Sequence, residues 1–66
     1  MRILLNGDTQ ELPKPESVAA LLVRLGFDAR TVAVELDRVV VKRACYDQTD
    51  VHDGAEVEIV AFVGGG

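Results

Sequence analysis

Cysteine and histidine each occur once, at Cys45 and His52, and tryptophan does not occur at all. A lone cysteine excludes a disulfide framework within the chain and fits a reducing compartment. One thiol and one imidazole are too few for a metal site built from such ligands, which needs several in register. Long apolar runs are also missing. The first hydrophobic stretch is only Ile3-Leu4-Leu5 ahead of Asn6-Gly7, far too short for a signal peptide core or a membrane span. A soluble cytoplasmic protein without membrane contact is expected. Cations are scarce: 7 Lys and Arg stand against 11 Asp and Glu, for a net charge of −4. They are scattered singly apart from Lys42-Arg43, so the basic stripe that nucleic acid requires is absent.

What remains is ordinary for a small globular domain. Of the 66 residues, 48% are hydrophobic and 27% charged, too apolar for disorder. One domain is the limit at this length. Such a chain buries only about 60% of the surface its unfolded form exposes, which leaves a thin core and little room for an enclosed substrate pocket.

The pattern of elements is legible. Residues Arg2 to Asn6 alternate as a strand, and Asn6-Gly7 is a type I′ hairpin signal because both positions accept positive φ. The return strand, Asp8 to Leu12, stops before Pro13 and Pro15. Ser17 is a candidate N-cap. Val18, Leu21, Leu22 and Leu25 follow at helical spacing, and Gly26-Phe27 reads as a Schellman stop. Residues 28–31 form a connector. Val32 to Leu36 and Val39 to Lys42 are strands joined by a two-residue turn, Asp37-Arg38, although the glycine usual in such turns is missing. Arg43 to Asp50 has no period and is expected to be a loop with one short helical turn. After the Asp53-Gly54 turn signal comes the last strand, with Val57, Ile59 and Ala61 inward and Glu56, Glu58, Val60 and Phe62 outward. One helix covering one face of a mixed sheet of about five strands is a two-layer α+β architecture. The order fits a β-grasp, with the first and last strands parallel at the sheet centre.

Conventional chemistry finds little support. Cys45, in Arg43-Ala44-Cys45-Tyr46, reads as a small buried hydrophobe rather than a nucleophile. His52, beside a turn, reads as exposed. Neither the spacing nor a third group argues for a catalytic pair. Asp47, Asp50 and Asp53 recur every third residue but lack the glycine and glutamate offsets of a calcium loop. Gly64-Gly65-Gly66 precedes no helix, so it is not a phosphate-binding loop.

The glycine run is the more informative feature. It follows Glu56-Val57-Glu58-Ile59-Val60-Ala61-Phe62-Val63 directly. Glycines at such a position have no turn to make; they thread a narrow channel in any φ/ψ and add no bulk beside the carboxyl carbon. The expected division is a folded domain over residues 1–63 and a tail over residues 64–66. The tail reads as the working part, with the Gly66 carboxylate activated as a mixed anhydride with AMP by a separate enzyme.

The chain resembles the ThiS family, the ubiquitin-like β-grasp sulfur carriers of thiamine biosynthesis. The resemblance runs from Met1-Arg2-Ile3-Leu4-Leu5-Asn6-Gly7 through Ser17-Val18-Ala19-Ala20-Leu21-Leu22, Val32-Ala33-Val34-Glu35-Leu36-Asp37, Val40-Val41, Arg43, Tyr46 and Asp53-Gly54. Its most specific part is Val57-Glu58-Ile59-Val60-Ala61-Phe62-Val63-Gly64-Gly65-Gly66. Lys42 stands where many members have proline, and Ala61 where histidine is common; neither touches the terminal chemistry.

The resemblance implies a carrier, not an enzyme. No catalytic residue, metal or cofactor of its own is expected. A ThiF-like adenylating enzyme uses ATP to make the Gly66 acyl-adenylate. A cysteine desulfurase relay supplies sulfur to give a Gly66 thiocarboxylate, and thiazole synthase, ThiG-like, accepts that sulfur. Gly64 and Gly65 supply reach. Pairing the first and last strands in parallel further puts Leu4, Val60 and Phe62 on the face away from the helix, with Val40 beside them, as a docking surface. Alternatives are a carrier for molybdopterin synthesis, tRNA thiolation or cysteine synthesis, a ubiquitin-like protein modifier, and a plain interaction domain with an inert tail.

Overall fold

The computed structural model of the chain describes residues 1–62. Val63 and the expected tail, Gly64, Gly65 and Gly66, lie outside the described residues. Strands β1 (Arg2–Leu5) and β2 (Asp8–Glu11) pair antiparallel, Leu5 opposite Asp8. The turn between them has φ of 50° at Asn6 and 85° at Gly7, the two positive values a type I′ turn needs. Leu12 falls just past β2 but stays buried, and its N–H donates to the Met1 carbonyl at 2.8 Å.

The chain then forms β3 (Glu16–Ser17) and helix α1 (Val18–Leu25). Ser17 Oγ accepts the Ala20 N–H at 3.0 Å, as an N-cap does. Gly26 takes φ of 83°, and the Phe27 N–H reaches back to Leu22 O at 2.9 Å, closing a Schellman stop. Val18, Leu21 and Leu22 are buried. The connector contains a short 3₁₀ turn, Ala29–Thr31, capped by Asp28.

Strands β4 (Val32–Leu36) and β5 (Val39–Val41) pair with Leu36 opposite Val39 and Val34 opposite Val41. Their turn is also of the doubly positive kind, with φ of 50° at Asp37 and 69° at Arg38. Asp37 tolerates that conformation because its side chain is held: Oδ1 accepts the Glu56 N–H at 2.9 Å. A second 3₁₀ turn, Arg43–Cys45, opens the following loop. Next come β6 (Asp50–Val51) and β7 (Glu56–Ala61).

The main sheet has the order β2-β1-β7-β4-β5, with β1 and β7 parallel and the other neighbours antiparallel. This is the β-grasp arrangement, with α1 on one face. The core lies between them, built around Ile3, Leu21, Leu22, Val34, Val57 and Ile59. Ala61, expected to point inward, is exposed. The small antiparallel pair β3–β6 was not legible in sequence, since two residues carry no period. It ties residues 43–51 to the start of α1. There Thr49 O accepts the Val18 N–H at 2.8 Å and Tyr46 O accepts the Ala19 N–H at 2.9 Å. With Ser17 these satisfy the first three helical amides, which have no partner inside the helix. Tyr46, 4% exposed, carries the same loop into the core.

Candidate functional site

Strand β7 leads in sequence to the glycine run, so how it is held bears on what the run can do. Only its first half lies against β1. Leu4 N–H donates to Ala55 O at 2.9 Å and Asn6 N–H to Val57 O at 2.8 Å, with Leu4 opposite Glu56 and Leu5 opposite Val57. At Asn6 the backbone of β1 turns away, and the Asn6 side chain takes over. Its Oδ1 accepts the Ile59 N–H at 2.8 Å, and its Nδ2 donates to Ile59 O at 3.2 Å. One carboxamide thus supplies one more step of the ladder. On its other edge β7 pairs with β4 from Val57, opposite Leu36, to Ala61, opposite Val32, and beyond it the Phe62 N–H donates to Thr31 O at 2.8 Å.

The face of β7 away from α1 carries Glu56, Glu58 and Val60, with Phe62 continuing the alternation. Leu4, Val60 and Phe62 are 42%, 60% and 57% exposed. The register brings Val60 and Phe62 together at the end of β7 nearest the glycine run. It sets Leu4 beside Glu56, four residues back along the strand from Val60, or roughly 13 Å at the rise of a strand. Glu58 stands between them. Val40, also exposed, is opposite Glu35, which is in turn opposite Glu58. The outer face therefore has carboxylates at its centre with Val40 and Val60 beside them, while Arg2, Thr9 and Glu11 flank Leu4 on its β1–β2 side. A shallow depression there, about 210 Å³, is lined by Leu4, Gly7, Glu35, Arg38, Glu56 and Glu58.

The other candidates are engaged elsewhere. Cys45 is half-buried in its 3₁₀ turn, and its carbonyl accepts the Thr49 hydroxyl at 2.7 Å. His52 Nε2 lies 2.8 Å from Asp37 Oδ2, and Nδ1 lies 2.9 Å from Asp53 O. The hydrogen bond to Asp37, then the Asp53 carbonyl, raises the His52 pKa above its ordinary 6.5. The Glu56 amide and then His52 lower that of Asp37 below 3.8. Asp53 Oδ1 accepts the Arg2 N–H at 2.8 Å. Among the described residues no group of three or more His, Cys, Asp or Glu side chains is placed to hold a metal, and no helix is long and apolar enough to cross a membrane. The Asn6 bridge and the Asp37–His52 pair escaped the sequence reading. Each joins residues far apart in the chain, and Asn-Gly announces only its turn.

Comparison with known proteins bears on the whole chain. The model of the ThiS family matches residues 3–66. The chain is 44% identical over 66 residues to a thiazole synthase of Paramagnetospirillum magneticum, covering 100% of this chain and 20% of that protein. It thus spans about a fifth of the length of that curated relative. An uncharacterized protein, ycf40, of Pyropia yezoensis is 34% identical over 64 residues, which cover 97% of this chain and 90% of the relative. The crystal structure of a thiamine biosynthesis protein (ThiS) from Geobacter metallireducens superposes with a TM-score of 0.88 at 36% identity, covering 100% of both chains.

Proposed function

The chain belongs to the ThiS family, and from that membership we propose that it is a sulfur carrier for the thiazole moiety of thiamine, a co-substrate of its partners and not itself an enzyme. Gly66 is the residue that is modified. A ThiF-like adenylating enzyme joins its carboxylate to the α-phosphate of ATP, with loss of pyrophosphate. A sulfur nucleophile fed by a cysteine desulfurase relay then displaces AMP, leaving a thiocarboxylate. Thiazole synthase takes the sulfur from it. ATP is the activating enzyme's substrate and is not bound by this chain, and the reactions are cytoplasmic. Gly64 and Gly65 give the carboxylate its reach, while Leu4, Val60 and Phe62 serve docking.

The observation that carries the reading is the family match extending through Gly66, across the glycine run, on a β-grasp frame. A thiazole synthase that contains a stretch 44% identical to this whole chain supports the choice of acceptor. Mass spectrometry of protein produced beside its activating enzymes tests it. One oxygen replaced by sulfur at Gly66 is expected, and deletion of Gly66 should abolish the change. Val60→Asp and Phe62→Asp should keep the fold and lose adenylation. Conjugates on lysine side chains would support a protein modifier instead, and an unchanged mass under competent conditions would refute the carrier reading.

A further inference from the structure

Asn6 does more than its turn requires. A type I′ turn accepts Asn, Asp or Gly at its first central position, so the φ of 50° at residue 6 does not by itself select asparagine. The bonds to Ile59 do. They need an acceptor for the Ile59 N–H and a donor for its carbonyl, and among these three residues only the carboxamide carries both. The edge on which this happens follows from register. Glu56 O accepts the Asp37 N–H and the Phe62 N–H donates to Thr31 O, so even-numbered residues from 56 to 62 bond toward β4 and odd-numbered ones toward β1. On the β1 side Val57 O accepts the Asn6 N–H, and Ile59 is met by the Asn6 side chain. Ala61 comes next on that edge, and no described residue bonds its N–H or carbonyl there. Ile59 is thus the last residue at which β7 is tied on its β1 side, seven positions before Gly66.

We propose that Asn6 is a positioning residue for the reaction at Gly66: its carboxamide fixes the root and the direction of the segment that delivers the carboxylate. The inference rests on the carrier reading. Beyond Ile59 the strand is tied along one edge only, by β4 and Thr31. A strand tied along one edge swings about it, and a second tie fixes its direction. The lever is long. Seven extended residues reach about 23–25 Å, so a swing of about 10° at Ile59 moves the far end by about 4 Å. In adenylation a Gly66 carboxylate oxygen bonds to the α-phosphorus of ATP as pyrophosphate leaves. That step needs the reacting atoms about 3–3.5 Å apart and aligned, and a misplacement of about 1 Å costs up to about a hundredfold in rate. The bonds of the Asn6 side chain go to Ile59 and to none of Leu4, Val60 and Phe62. Its effect therefore falls on the step after docking.

The test is single-turnover adenylation by the adenylating enzyme encoded in the same genome, run well below the Tm of every variant. Asn6→Gly and Asn6→Asp both suit the turn. Ser17→Ala is the control, because it removes the helix N-cap, destabilises the chain to a comparable degree and breaks no bond to β7. At saturating enzyme, formation of the acyl-adenylate should slow about tenfold in both Asn6 variants, with the half-saturating enzyme concentration within about twofold of the unaltered chain's. Ser17→Ala should react like the unaltered chain. Hydrogen exchange locates the cause. The Phe62 amide is bonded to Thr31 and not to Asn6, yet it should exchange about tenfold faster in the Asn6 variants than in Ser17→Ala. Unaltered rates in both Asn6 variants would overturn the positioning role and leave the carrier reading intact. An equal slowing in Ser17→Ala, or Phe62 exchange alike in all three variants, would also overturn it, since general stability would then be the cause. A loss confined to half-saturation would overturn it by making Asn6 a docking contact. Failure of the unaltered chain to be adenylated would overturn the carrier reading and this role with it.

Discussion

His52 can donate from both ring nitrogens only when doubly protonated, to Asp37 through Nε2 and to the Asp53 carbonyl through Nδ1. Folding therefore favours the cation and raises its pKa. A raised pKa contributes stability that is fully present below the unfolded value of 6.5 and is lost as pH rises through the folded one. Asp37 runs the other way. Its lowered pKa contributes above 3.8 and is lost as pH falls through the folded value. Both contributions are complete only between these two pH values. Thermal melts across pH should show Tm highest in that window, with a decline on the alkaline side. His52→Ala should flatten the alkaline decline while leaving an acid limb, to which Asp28, held at about 2 chiefly by its hydrogen bond from the Arg30 side chain, also contributes. An alkaline decline equally steep in His52→Ala would assign it to other groups. The pair is exposed, so added salt should weaken the effect.

At the scale of elements, the consequential joint is between β1 and β7. Backbone pairing ends where β1 enters its turn, and the Asn6 carboxamide carries the ladder on to Ile59, one residue before Val60. Asn6→Gly isolates that role, because glycine takes positive φ without strain and leaves the turn intact. The loss of both bonds to Ile59 should cost about 1–3 kcal/mol, the range for orphaned partly buried polar groups. Urea unfolding should report it as a lower midpoint at unchanged slope. An unshifted midpoint would mean that water replaces the carboxamide at no cost. Helix α1 depends likewise on a neighbour, since its second and first amides are satisfied by Tyr46 and Thr49 of the loop after β5. That loop looked featureless in sequence and proves to be half of a helix cap.

For the whole molecule, the margin is small. A chain of 66 residues has a total stability of about 3–10 kcal/mol. Leu21, with no exposed surface, sits at the centre of the helix–sheet contact. Leu21→Ala removes about 2–5 kcal/mol, a large share of that total. Far-UV circular dichroism should show a Tm lower by more than about 10 °C or a largely unfolded chain at 25 °C. A Tm within a few degrees of the unaltered protein would show that the core closes over the gap. The same thinness leaves little interior for a reaction pocket, which is why the outer face and the residues after β7 carry the functional proposals.

Local chemistry by itself determined much of this. Asn6-Gly7, Ser17, Gly26 and the spacing of Val18, Leu21 and Leu22 fixed a hairpin and a capped helix, because turn φ values, caps and helical period act within a few residues. Alternation in Val57 and Ile59 identified the buried side of the last strand for the same reason. Only the tertiary structure decided the rest. The expected parallel pairing of the first and last strands holds, but the register of β1 and β4 on β7 is what sets Glu35 against Glu58 and parts Leu4 from Val60. Whether Asn6 bonds Ile59, or Asp37 bonds His52, depends on chain segments 53 and 15 residues away. No local preference encodes those meetings; they follow from burying the helix face and the sheet face against each other.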